Sequence, residues 1–169
     1  MAEPLEIERK YIIKLPEKSV IEAADGYTKS EILQIYLKSK KGITHRIRKR
    51  VFDCGVEYTE TTKIRLDAMT AIENEKAITE EDFLLLEKEI AQGTKPISKV
   101  RHTFIFEEQL FEVDVYPQWK HSCILETELK DKETEVIFPA FINIIKEVTG
   151  IKGYSNAQMS RCFPEEVDL

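Results

Sequence analysis

The chain has 169 residues, 42% of them hydrophobic and 33% charged, with a formal net charge of −6. That length fits one domain over residues 1–169, apolar enough to bury a core and too apolar to stay disordered. The acidic balance excludes a general binder of nucleic acid or anionic membranes, which would need a broad basic surface.

No apolar run approaches the ~20 residues that span a bilayer, and the first residues, M-A-E-P-L-E, lack the pattern of a signal peptide. A cytoplasmic protein is therefore expected. Cys54, Cys123 and Cys162 are odd in number and widely spaced, which suits free thiols. His45, His102 and His121 lack metal-ligand spacing, so no zinc site is expected.

In chain order, Leu5–Lys14 (L-E-I-E-R-K-Y-I-I-K) reads as a strand with Glu6, Glu8 and Lys10 on one face, because side chains two apart point the same way. Pro16 interrupts it, and Glu17–Ala24 reads as a short helix ended by Asp25-Gly26. Ser30–Lys38 is a strand, and Ile43–Val51 a second with Arg46, Arg48 and Arg50 on one face. A turn at Asp53-Cys54-Gly55 leads into Val56–Leu66, which places Lys63 and Arg65 together.

Ala71–Ile78 repeats the spacing with Glu73 and Glu75, so it reads as strand although its propensities are mixed. Thr79 then caps a helix with acids in its first turn and an apolar stripe of Phe83, Leu84, Leu86 and Ile90. Strands follow at Ile97–Glu107 (Lys99, Arg101), Gln109–Tyr116 (Glu112, Asp114) and Cys123–Lys130 (Glu126, Glu128). Pro139 is expected to open an amphipathic helix that Gly150 ends.

An alternating strand normally turns its charged face to water. Here at least six expected strands carry ionisable residues at i, i+2 on one face, with several arginines and few small polar residues. Arg and Glu pairs suit convergent binding of phosphate and metal rather than a solvated face. A closed antiparallel sheet would turn these faces towards one another. A lumen with both signs of charge suits a polyphosphate accompanied by divalent cations, the carboxylates holding Mg²⁺ or Mn²⁺.

The motifs E-I-E-R-K (6–10), H-R-I-R (45–48), E-N-E (73–75), K-V-R (99–101), E-V-D-V-Y (112–116) and L-E-T-E-L (125–129) resemble the CYTH, or triphosphate tunnel metalloenzyme, superfamily over nearly the whole chain. The resemblance implies an α+β fold dominated by β, a closed eight-stranded antiparallel barrel with helices packed outside. It implies hydrolysis of a triphosphate. It makes Glu6, Glu8, Asp114, Glu126 and Glu128 the expected metal ligands and Lys10, Arg46, Arg48, Lys63 and Arg101 the expected phosphate contacts. Glu73 and Glu75 are expected lumen acids that hold a second metal or its water, working with Lys10 in catalysis.

Two departures stand out. Ala71 lies where family members often carry a base, and the C-terminal base has only Lys152 as a candidate counterpart. The expected reaction is metal-dependent attack of water on the terminal phosphorus, with inorganic tripolyphosphate the first choice of substrate. Thiamine triphosphate hydrolysis, a class IV-type adenylate cyclase, and a non-catalytic polyphosphate or nucleotide binder are the alternatives. No nucleic-acid or membrane partner is expected, and outer sheet faces are left for a homodimer.

Overall fold

The structure, a computed structural model, describes residues 4–168. Its strands are β1 (Leu5–Lys14), β2 (Thr28–Tyr36), β3 (Ile43–Phe52), β4 (Gly55–Arg65), β5 (Thr70–Ala77), β6 (Ile97–Phe106), β7 (Gln109–Val115), β8 (Ser122–Glu128) and β9 (Ile144–Glu147). The sheet order is β5-β4-β3-β2-β6-β7-β8-β1-β9, and a further β5–β1 pairing closes the first eight into an antiparallel barrel. Three short helices, α1 (Lys18–Glu22), α2 (Glu80–Leu86) and α3 (Asn156–Met159), lie outside it. Among the described residues, no helix is long and apolar enough to cross a membrane.

Alternation builds the barrel inside out. The outer faces of β1, β6, β7 and β8 supply Tyr11, Ile13, Phe104, Phe111, Val113, Cys123 and Leu125 to one core, covered by Ile21 of α1 and by Phe138, Phe141 and Ile142. A second outer core joins Ile35 and Ile47 to Phe83 of α2, with Tyr58, Leu86 and Ile90 around it. Thr79 caps α2 through a capping box with Asp82, as its sequence implies. Apolar side chains thus serve the outside of the sheet, so the charged faces have only the lumen left.

One end of the lumen is stoppered. Tyr36, Ile97, Tyr116, Trp119, Ile124 and Met159 form an apolar plug there, with Phe163 against it. The C-terminal segment ties the plug down: Trp119 donates to the Pro164 carbonyl (3.0 Å), and the Glu166 carboxylate accepts from the amides of residues 120–122.

The expected helix after Pro139 does not form. Phe138, Phe141, Ile142 and Ile145 have helical spacing, but Phe138, Phe141 and Ile142 pack on the barrel's outer core from irregular chain. Residues 144–147 add instead to the free edge of β1, Tyr11 pairing Glu147 and Ile12 pairing Lys146. β1 leaves β5 after Ile7, so its remaining amides and carbonyls need a partner that a helix could not supply. The β-branched run suits a strand better as well.

Gly150 then takes φ 71° against the Ala68 backbone, where a Cβ would come within 3.0 Å of Ala68 Cα. That close approach brings residues 151–157 over the lumen's rim.

Candidate active site

Seven of the eight barrel strands aim charged residues at one cavity of about 750 Å³, and β2 lines it with Tyr36. Its wall carries eight carboxylates (Glu6, Glu8, Asp67, Glu73, Glu75, Glu112, Glu126, Glu128) and eight cations (Lys10, Arg46, Arg48, Arg50, Lys63, Arg65, Arg101, Lys152). A trap for bare anions would carry a surplus of bases. Balanced charge means that a bound polyanion must bring its own cations or leave the wall net negative.

Every expected site residue but one lies on this wall. Asp114 does not: its side chain is fully buried beneath it, with Lys99 Nζ at 2.5 Å from Oδ2 and Arg101 Nε at 2.7 Å from Oδ1. Arg101 Nη2 reaches Oδ2 as well, at 2.8 Å, so the carboxylate is held bidentately and by a lysine besides. In this geometry Asp114 serves Arg101 rather than joining the wall acids expected beside it. Among the described residues, no three Asp, Glu, His or Cys side chains already converge on a metal-sized point.

Arg50, Arg65, Asp67 and Glu112 are wall residues outside the expected site set, and Lys152, the candidate C-terminal base, lies on the wall as well. Alternation placed Arg50, Arg65 and Glu112 on the right faces, and Glu112 even lies within the E-V-D-V-Y motif, but none was assigned a role there. Lys152 reaches the rim through the Gly150 crossing against Ala68, a long-range contact.

The wall acids group by strand register. Glu8 lies directly across from Glu128 on β8, and Lys10 across from Glu126, with Lys10 Nζ 2.7 Å from Glu126 Oε1. Lys63 Nζ bonds Glu6 and lies 3.6 Å from Glu8 and 3.3 Å from Glu73. Two carboxylates facing each other across a strand pair repel unless a cation sits between them. Burial, then the neighbouring Glu8, pushes the Glu6 carboxyl up to about 7 even with Lys63 beside it. Lys63 therefore under-compensates this acidic corner.

The bases behave differently from one another. Arg46 Nη2 bonds Glu73 at 3.2 Å, and Arg101 is surrounded by Glu112, Asp114 and Glu126. Arg48 and Arg50, among the described residues, have no carboxylate partner; they bond Gln34 and Ser30.

The buried cluster sets an acid limit on stability. Burial alone would raise the Asp114 carboxyl, but Arg101 and Lys99 outweigh it and hold it at about 2. Lys10 and Arg101 likewise overcome burial at Glu126 and hold it well below the carboxylate range. In an unfolded chain such groups take up protons at about 4. The cluster's stabilisation is therefore complete above about pH 4 and is lost as pH falls towards 2. Thermal unfolding at about pH 5 and about pH 3 should show the midpoint dropping on acidification, and a flat midpoint would contradict the cluster.

The chain is similar to a solved structure of the inorganic triphosphatase NE1496, with 25% identity and a TM-score of 0.59 over 94% of this chain and 96% of that one. The PH1819 protein from Pyrococcus horikoshii OT3 shares the fold at 23% identity (TM-score 0.54, 75% of this chain and 80% of that one). HpAC1 from Hippeastrum, reported with a dominant triphosphatase activity, shares it at 14% identity (TM-score 0.50, 75% and 81%). No family model and no curated protein matches the sequence. The closed barrel of this chain is lined by ordered acidic and basic pairs. Together with the E-x-E-x-K strand, that arrangement and the fold shared with the inorganic triphosphatase are consistent with the CYTH, or triphosphate tunnel metalloenzyme, superfamily.

Proposed function

We propose that this chain hydrolyses a triphosphate within the barrel, taking inorganic tripolyphosphate before thiamine triphosphate or ATP, with Mg²⁺ or Mn²⁺ as cofactor. The observation that carries the reading is that one wall offers two guanidiniums, Arg48 and Arg50, without carboxylate partners among the described residues. The same cavity offers facing carboxylates, Glu8 and Glu128, with Glu6 two residues from Glu8. Bases without counter-charge suit phosphate oxygens, and hard oxygen donors in a site without Cys or His suit Mg²⁺ or Mn²⁺. Glu6, Glu8 and Glu128 would hold the cation, with Glu126 next to them on β8.

When bound, the divalent cation supplies counter-charge to the phosphate chain and acidifies water. Arg48 and Arg50 bind the phosphate oxygens and spread the charge that develops during transfer of the terminal phosphoryl group to water. Lys10, fixed by Glu126 and by the Tyr154 carbonyl (3.4 Å), adds a charge that need not reorganise. Glu75, which accepts from Thr61 Oγ1 at 2.9 Å, and Glu73 beside it orient the attacking water. No Ser, Cys or His nucleophile enters.

The lining also ranks the substrates. Tyr36 is the one aromatic residue on the wall among those described, and it packs into the plug and bonds Gln34. That leaves no stacking platform for a purine or for thiamine. A bare polyphosphate needs none.

Incubation with tripolyphosphate, thiamine triphosphate and ATP, each with Mg²⁺ or Mn²⁺, tests the reading. Phosphate release should be fastest from tripolyphosphate and fall to background when EDTA is added. Cyclic AMP with pyrophosphate would identify a cyclase instead. Binding without turnover of any of the three would identify a binding module.

A further inference from the structure

The wall's cations fall into two kinds. Lys10, Arg46, Lys63, Arg65 and Arg101 each have a carboxylate partner. Among the described residues Arg48, Arg50 and the exposed rim residue Lys152 have none, and the two arginines are held by neutral groups of β2. The Gln34 amide oxygen accepts from Arg48 Nε at 3.3 Å and from Nη2 at 3.1 Å. Ser30 Oγ accepts from Arg50 Nε at 2.8 Å.

Gln34 is 0% exposed and sits directly across from Arg48 in the β2–β3 register. Its Nε2 donates to the Tyr36 hydroxyl at 2.6 Å, which fixes the oxygen end towards Arg48.

The choice of an amide has an electrostatic consequence. A carboxylate of the same shape would hold a guanidinium at least as firmly, because both of its oxygens accept and carry charge. It would also cancel the guanidinium's field. Burial, with Arg46 and Arg101 adding to it, pulls Arg48 down to about 10, and burial pulls Arg50 down too. Arg46 and Arg101 go the other way despite burial, raised by the acidic groups around them. Arg48 and Arg50 are thus cations held in place with their charge unspent. A buried charge in that condition gains most from an arriving anion.

Resting on the proposed function, we infer that Gln34, with Ser30 as its counterpart one layer along, is a positioning residue for the phosphate chain. It fixes Arg48 without neutralising it and so sets where along the tunnel the anion lies. β2 carries this role although it contributes no charge to the wall.

Q34E tests this, because a carboxylate still accepts from Arg48, the Tyr36 hydroxyl can turn to donate to it instead of accepting, and a negative charge is added at nearly unchanged shape. Inorganic tripolyphosphate binding is measured by calorimetry with Mg²⁺ present, together with KM, kcat and the thermal midpoint. The expected result is binding weaker by about tenfold or more, a matching rise in KM, and a midpoint that does not fall. A purely structural role predicts the reverse: Q34E binds like the wild type, and only Q34A, which loses the hydrogen bonds, binds weakly. S30D applies the same change to Arg50, so it decides the matter should Q34E fail to fold. Wild-type affinity in folded Q34E, or in S30D should Q34E not fold, would overturn the inference. Failure of the wild-type chain to bind or hydrolyse tripolyphosphate would instead sink the proposed function.

Discussion

Glu128→Gln is expected to cut triphosphate hydrolysis by on the order of a hundredfold while leaving the metal-free protein at least as stable as the wild type. The two effects have one cause. Glu128 faces Glu8 across the β1–β8 pairing, and it has no cation partner among the described residues. With no metal bound, those like charges repel, and neutralising one removes a cost. In the proposed mechanism the same charge would help to hold the divalent cation. Glu8→Gln should lower activity similarly but gain less stability, because Glu8 also faces Lys63 and Arg65. Thermal midpoints in EDTA and rates in Mg²⁺ check both halves. A variant that loses stability and activity together would show that these carboxylates are structural.

Asp114→Asn should do the opposite: a loss of about 3–5 kcal/mol of folding stability, present with or without metal. The carboxylate is fully buried and is the counter-charge for both Lys99 and Arg101. An amide cannot neutralise them, so Lys99 loses its one carboxylate partner among the described residues, in a medium that solvates it poorly, and Arg101 is left with Glu112 and Glu126. Burial already pulls Lys99 down to about 8 with Asp114 in place. Adding K99M to D114N should therefore restore part of the loss, since one stranded charge is gone. Urea unfolding of the single and double variants measures this. A wild-type midpoint in D114N, with activity alone abolished, would return Asp114 to the set of metal ligands.

These two carboxylates show what the sequence could and could not convey. Alternation at i, i+2 put Glu128 and Asp114 on inward faces, because strand geometry fixes the side of the sheet. Only the recurrence of charge in strand after strand revealed that inward meant lumen. Depth along the barrel is another matter. It depends on strand stagger and on the plug formed by Tyr116, Trp119 and Met159, which come from distant parts of the chain. That is why Asp114 looked like Glu128 in the sequence and sits beneath the wall in the fold.

The segment after Pro139 failed for a related reason. Its apolar spacing satisfies a helix, but the open edge of β1 that claims residues 144–147 lies more than a hundred positions away. Gln34 was unreadable for a third reason. Its role depends on a hydrogen bond from Arg48 on the neighbouring strand, which residue patterning along β2 does not display.

Whether the inward-facing charges hold a triphosphate for hydrolysis is tested most directly by phosphorus NMR of tripolyphosphate mixed with the protein and Mg²⁺. The expected result is conversion to pyrophosphate and orthophosphate, stopped by EDTA and slowed strongly in Glu128→Gln. Tripolyphosphate left intact by folded wild-type protein in Mg²⁺ and in Mn²⁺, or cleaved equally well by Glu128→Gln, would contradict it.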